Sequence, residues 1–205
     1  MKWMEVRKQK SFKAELVAGP REFSYKELKS ATGVFHPSTI SAVKRSKHSH
    51  EGKTEFLSEL SIIACLRYKN LVHLQGWCVE KGELLLVYDF MPNGNLEKAL
   101  YQESVQRTLL DWSRRLNIAV GLASVLAYLH QECEQQVIHR DIKTGNVLLY
   151  GNLNARLSDF GLAKLMDHDK SPVSTLTAAT MGYLAPEYLQ YGKPPKRLMV
   201  LAMVW

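Results

Sequence analysis

Residues 137–149 read Val-Ile-His-Arg-Asp-Ile-Lys-Thr-Gly-Asn-Val-Leu-Leu, a polar loop that runs straight into a buried strand. The loop spaces a carboxylate, an ammonium and a carboxamide at Asp141, Lys143 and Asn146. A carboxylate can accept a proton from a hydroxyl, an ammonium can face an anion, and an amide oxygen can hold a hard cation. Chance would rarely set all three on one short loop, so the stretch restricts the chain more than any other segment does.

Eighteen residues beyond Asp141 stands Asp159-Phe160-Gly161, and Ala185-Pro186-Glu187 follows. Alone, Asp before Gly is ordinary turn chemistry. Upstream lie Ser41-Ala42-Val43-Lys44 and, in Phe56-Leu57-Ser58-Glu59-Leu60, a glutamate fifteen residues after the lysine. In this order the motifs resemble those of a protein kinase. The resemblance implies that Asp141 is the base, Asn146 and Asp159 hold magnesium, Lys143 faces the γ-phosphate of ATP, and Lys44, paired with Glu59, contacts the α- and β-phosphates. Tyr88 would be the gatekeeper, with backbone groups near Asp89 and Met91 receiving adenine.

Phe23-Ser24-Tyr25-Lys26-Glu27-Leu28, Gly76-Trp77-Cys78, Leu86 to Gly94 and His139 to Lys143 are similar to plant receptor-like serine/threonine kinases, nearest to the legume-lectin type. That implies an α+β, two-lobed protein-kinase-like fold, with protein Ser/Thr hydroxyls as acceptors and a place at the cytoplasmic face of the plasma membrane. Arg140 before Asp141 implies activation-segment control, with a phosphate on Ser174, Thr175 or Thr177 pairing with the guanidinium. Thr180 matches the position that contacts Asp141 and Lys143 in the family.

The expected organisation is a basic juxtamembrane-like lead-in (1–32), a partial kinase domain (33–192, small lobe 33–90 and large lobe 91–192) and a tail (193–205). Periodicity predicts an amphipathic helix over Glu51 to Arg67, strands over Leu71 to Trp77 and Glu83 to Phe90, and a helix over Trp112 to Gln131 whose apolar residues cover more than one face.

Two departures from the family pattern stand out. No Gly-x-Gly-x-x-Gly precedes Ser41, and there is no room for the two strands that would carry it, so the small lobe lacks its phosphate-covering hairpin. The tail from Lys193 to Trp205 replaces the family's usual continuation, Lys-Ala-Thr-Glu-Lys-Thr-Asp-Val-Phe-Ser-Tyr-Gly-Val. A one-base deletion in a permissible coding of that phrase yields the tail except at Val200, and the large lobe would then lack the helices after the activation segment. The resemblance therefore leaves two readings: an ATP- and magnesium-dependent kinase, or an inactive fragment that serves as a binding module or has no function.

Composition bears on partners. The formal charge of +7 lies wholly in residues 1–54, which hold twelve basic and five acidic residues. Lys2, Arg7, Lys8, Lys10 and Lys13 fit either an anionic membrane leaflet or a solvated tail. Nucleic acid is not expected, because no base-stacking aromatics are interleaved with the charges. No apolar run is long enough to span a bilayer and the N-terminus lacks a signal-peptide core, so a cytoplasmic chain is expected if it is expressed alone. Cys65, Cys78 and Cys133 read as reduced, mostly buried thiols.

Overall fold

The computed structural model describes residues 19–33, 41–101 and 110–168. They fall into two compact units. The first runs to Leu66 and resumes over His73–Phe90; the second comprises Arg67–Val72 and the chain from Met91 onward.

In the first unit, β1 (Arg21–Glu22), β2 (Ser41–Arg45), β3 (Leu74–Glu80) and β4 (Glu83–Asp89) form a mixed sheet in the order β1-β3-β4-β2. β1 runs parallel to β3, and the other pairs are antiparallel. Lys81 and Gly82 close the β3–β4 hairpin, both at positive φ, as a tight two-residue turn requires. Helix α1 (Tyr25–Gly33) buries Leu28 against Cys78, Leu85 and Val87, flanked by Phe23 and Tyr25. Its first turn is a reciprocal cap: Ser24 Oγ accepts from Glu27 N–H, while Glu27 accepts from the Ser24 N–H and hydroxyl. These bonds to Ser24, ahead of Arg21, hold the Glu27 carboxyl below its usual pKa.

Residues 21–32, expected in the lead-in, thus contribute β1 and all but the last residue of α1 to the first unit. Their alternation of charged with apolar residues hides a docking face. Gly76 makes the strand possible, since a Cβ there would lie 2.1 Å from the Arg21 carbonyl oxygen and 2.4 Å from the Phe23 ring. Gly76→Ala should therefore displace β1, lowering stability by about 1–3 kcal/mol and exposing residues 19–33 to protease. Unchanged melting and digestion would refute the close packing.

Helix α2 (His50–Ile63) starts at Ser49, whose side chain accepts from Gly52 N–H, and buries Phe56, Glu59, Leu60, Ile62 and Ile63. It stops short of the expected Arg67, because the Cys65 and Leu66 amides tighten to the carbonyls of Ile62 and Ile63. β3 begins three residues later than expected. Leu71 and Val72 instead pair with Leu157 in the second unit, where Val72 N–H donates to the Leu157 carbonyl. β4 ends at Asp89, one residue short of the expected Phe90, which is exposed.

The second unit contains α3 (Leu96–Tyr101), α4 (Trp112–Ala127) and two two-stranded sheets. β5 (Gln136–Ile138) pairs with β8 (Lys164–Met166), and β6 (Val147–Tyr150) with β7 (Asn154–Leu157). Asp111 caps α4 by accepting from Arg114 N–H. The apolar core joins Leu96, Leu110, Ile118, Leu122, Val147, Leu149 and Ala155.

The long helix expected to Gln131 is α-helical only to Ala127. Tyr128–Glu132 form a wider π turn, where Cys133 N–H reaches the Tyr128 carbonyl and the Tyr128 ring stacks on Tyr68 at 4.5 Å. The two-sided burial expected for this helix is met on one side. Trp112, Leu116 and Val120 are exposed among the described residues. Of the cysteines, only Cys78 is buried, while Cys133 is half-buried and Cys65 exposed. Burial raises the pKa of the Cys78 and Cys133 thiols, consistent with unreactive thiols.

Candidate functional site

In the first unit, β2 presents Lys44 and α2 presents Glu59. Lys44 Nζ lies 2.7 Å from Glu59 Oε2, an ion pair half-exposed at the lysine and 2% exposed at the carboxylate. Glu59 Oε1 accepts a second bond, at 2.7 Å, from the Tyr88 hydroxyl at the end of β4. The register that sets Lys44 opposite Leu86 and Ala42 opposite Tyr88 places both donors on the strands that α2 faces. Tyr88, read from sequence only as a gatekeeper, therefore also anchors the carboxylate that positions the lysine.

Tyr88→Phe should cost about 1–3 kcal/mol, since a buried carboxylate would lose a donor. In a chemical denaturation series, Glu59→Gln combined with Tyr88→Phe should cost less than the two separate losses added together. Strict additivity would show that the two groups do not act through one another.

Asp89, at the end of the same strand, donates its N–H to the His73 carbonyl and accepts from Gln75 Nε2 at 2.8 Å. Gln75 sits where the β3–β4 register slips, and its Oε1 accepts from Ser41 Oγ. This fastening of the strand end is invisible to periodicity.

The loop residues His139, Asp141, Lys143 and Asn146 gather in the second unit. His139 is fully buried, with Nε2 3.0 Å from the Ser158 carbonyl and Nδ1 accepting from Asp141 N–H at 3.3 Å. Those partners require the neutral tautomer with its proton on Nε2. Burial, as the leading cause, pushes its pKa down to about 4. The Phe160 ring meets the imidazole edge-on at 4.6 Å. His139 and Ser158 thus tie the loop containing Asp141 to the strand end preceding Asp159.

Asp141 Oδ2 is held twice, by Lys143 Nζ at 2.9 Å and by Asn146 Nδ2 at 2.9 Å. The same amide nitrogen reaches the Asp141 carbonyl at 2.8 Å. Asn146 is fixed in turn by a short 3₁₀ turn over Thr144–Asn146 and by its carbonyl, which accepts from the Ser158 N–H and hydroxyl. With its nitrogen committed to Asp141, Asn146 has its amide oxygen as the atom that could hold a cation.

Arg140 and Asp159 both adopt positive φ, 66° in each case, a conformation that non-glycine residues rarely accept. Arg140 Nε donates to the Leu162 carbonyl, which holds the first of these. Backbone strain at two residues beside the loop is typical of a functional site over-determined by its surroundings. The Met91 N–H, one of the groups expected to receive adenine, donates to no acceptor among the described residues. Ser174, Thr175, Thr177, Thr180, Ala185-Pro186-Glu187 and the tail from Lys193 lie outside the described residues.

The residues named from sequence thus come together as two sets, Lys44 with Glu59 in one unit and Asp141, Lys143 and Asn146 in the other. Tyr88's second role, His139, Ser158 and Gln75 are the additions.

Comparison with known proteins agrees with this geometry. The family model for protein tyrosine and serine/threonine kinase matches residues 29–200. The "Probable L-type lectin-domain containing receptor kinase S.7" of Arabidopsis thaliana is 67% identical over 213 residues, covering 93% of this chain and 31% of the relative. L-type lectin-domain containing receptor kinase VIII.2 of the same plant is 51% identical over 217 residues, covering 96% and 30%. The receptor kinase SIT2 of Oryza sativa subsp. japonica is 46% identical over 209 residues, covering 92% and 31%. The chain therefore spans under a third of the length of these relatives. Since 93% of 205 residues is about 190, the 213-residue match also leaves about twenty residues of the first relative without a counterpart here. With the family model covering most of its length and its motif residues placed as described, the chain belongs to the protein tyrosine and serine/threonine kinase family.

Proposed function

We propose that the chain carries the phosphoryl-transfer machinery of a receptor-like serine/threonine kinase, moving the γ-phosphoryl group of ATP to a Ser or Thr hydroxyl of a protein. The observation that carries this reading is the double grip of Lys143 and Asn146 on the Asp141 carboxylate. That grip aims the base, and Asn146 would hold a cation through its amide oxygen. Lys143 offsets charge on the transferred group, and Lys44, held by Glu59, takes the remaining phosphates. The Asp89 and Met91 backbone would receive adenine. Arg140, with Ser174, Thr175, Thr177 and Thr180, would serve regulation. Placement at an anionic membrane surface would use the basic segment at the N-terminus.

The donor set fits magnesium. Asn146 and Asp159 supply two hard oxygens, and no cluster of three or more His, Cys, Asp or Glu that could hold a metal occurs among the described residues. Magnesium is ordinarily held by one or two protein oxygens with phosphates and water completing the shell. When bound, it neutralises phosphate charge and helps to hold the phosphates in line.

A second reading, a binding module with little or no turnover, is favoured by the missing glycine-rich segment and by the roughly twenty residues of the first relative that have no counterpart here. The two readings separate in one assay. Purified chain with magnesium and labelled ATP should phosphorylate Ser/Thr peptides in preference to Tyr peptides, and Asp141→Asn should reduce that rate by about a hundredfold or more. No transfer from either chain, with cooperative melting of both, would establish the binding-module reading instead.

A further inference from the structure

Helix α4 carries two apolar faces, and the core uses one of them. Ile118, Leu122, Val125 and Leu126 are buried. On another side Trp112, Leu116, Val120, Ala123 and Ala127 recur every three or four residues, and all five are exposed, the first three at 68%, 51% and 56%. From Ile118 to Ala127 every exposed residue is apolar, so this face lacks the charges that a solvated helix face ordinarily carries. It is bulky at the Trp112 end and shallow at the alanine end, where a second backbone can come close.

The chain leaves the described residues beside the alanine end. His168, the last of them, has Nε2 2.9 Å from the Cys133 carbonyl, and Gln135 Nε2 donates to Asp167 Oδ1 at 3.2 Å. Cys133 directly follows the π turn that prolongs α4. Twenty-nine residues lie between His168 and Leu198. Extended, they reach about 95 Å, whereas the sixteen residues of α4 span about 24 Å. Beyond them stand residues 198–205, eight consecutive apolar residues outside the described part of the chain, preceded by Lys196 and Arg197. Leu198, Leu201, Ala202 and Trp205 recur there at helical spacing.

We infer that residues 198–205 of the same chain dock as a short helix along the exposed face of α4, antiparallel to it. Entering beside Cys133, the segment sets Leu198 over Ala127, Leu201 over Ala123 and Trp205 against Val120 and Leu116, so that bulky side chains meet small ones at the shallow end. Lys196 and Arg197 then lie near Glu132 and Glu134, which are exposed at the end of α4 where the helix dipole is also negative. A second copy of the chain fits less well. Three large side chains and two alanines offer less than the roughly 800 Å² per partner of a standard interface, whereas a tethered segment meets the face at the high effective concentration of an intramolecular contact.

The test uses the full chain with a photoreactive benzoylphenylalanine in place of Met199, at the edge of the docking face. Trypsin leaves residues 116–140 as one peptide, because no lysine or arginine lies between Arg115 and Arg140. Irradiation of dilute protein should give a cross-link within one chain, mapped by mass spectrometry to Ala123, Ala127 or their neighbours in that peptide. Ala123→Arg should lower its yield about tenfold or more, since a charge would enter the contact. Asn117→Arg, exposed on a different side of α4, should keep the yield within about twofold. If the Ala123 variant fails to fold, the cross-link map of the parent decides. Cross-links to other peptides alone, cross-links solely between chains, no cross-link at all, or equal yields from the two folded variants would overturn the assignment.

Discussion

Acidification from about pH 7 to pH 4 should remove about 3 kcal/mol of folding stability through His139 alone. The imidazole has an ordinary value of 6.5 when unfolded and about 4 when folded, and each unit of difference corresponds to about 1.4 kcal/mol. Between those values the unfolded chain binds a proton that the folded chain refuses. Stability is therefore fully present above the unfolded value and is lost as pH falls through the window. The cause is local: protonation would put a second N–H on Nδ1, facing the Asp141 N–H that it now accepts, inside a site with no water contact. His130, pushed down by burial, acts in the same direction. Denaturant titrations across this range should give a smaller pH slope for His139→Asn than for the parent, since carboxylates and His130 contribute to both. Equal slopes would remove His139 as the cause. A loss of about 3 kcal/mol is a large share of the 5–15 kcal/mol by which domains are usually stable. The loop carrying Asp141 should therefore loosen in acid before its carboxylates are all protonated.

That coupling was not readable from the residues alone, although the residues were. Asp141, Lys143 and Asn146 are legible because three complementary chemistries sit at short, fixed spacing on one loop, and Asp159 because it follows that loop in the kinase-like order. Lys44 and Glu59 are legible only through their order and spacing ahead of the later motifs, since a lysine at a strand end says little by itself. His139 reads as one more polar loop residue until the fold brings the Ser158 carbonyl to its Nε2. Tyr88 reaches Glu59 through the β2–β4 register and the placement of α2, neither of which leaves a local mark. The strand Arg21–Glu22 and helix Tyr25–Gly33 escape notice because Arg21, Glu22, Lys26, Glu27 and Lys29 make the segment look like a charged leader. Only Phe23, Tyr25 and Leu28 reveal the face that docks. The shifted ends of α2, β3 and α4 share one origin. Periodicity reports which residues are apolar, whereas termination depends on backbone partners such as Ile62, Leu157 and Tyr128.

Restoring the absent hairpin should have the largest effect on function. Inserting a glycine-rich hairpin of about twenty residues between Ile40 and Ser41 should tighten magnesium-ATP binding by about a hundredfold or more. Two backbone N–H groups donating to phosphate oxygens contribute roughly 1.5–3 kcal/mol each, and about 1.4 kcal/mol is a factor of ten. The segment is long enough for two strands of usual length and a turn. β2 can accept it, because among the described residues this strand pairs only with β4 and leaves Val43 42% exposed. Pairing along that edge should also raise the melting temperature, as an open strand edge and an exposed apolar side chain become covered. In the restored chain, Asp141→Asn should leave nucleotide affinity within about threefold while lowering the transfer rate by about a hundredfold or more. That split distinguishes a residue acting on the hydroxyl from one that merely holds ATP. Titration with a fluorescent ATP analogue and single-turnover transfer measure the two effects separately. Unchanged affinity after insertion, in a chain whose melting temperature has risen, would mean that the hairpin forms without covering phosphates and that nucleotide is not what this sheet is built to hold.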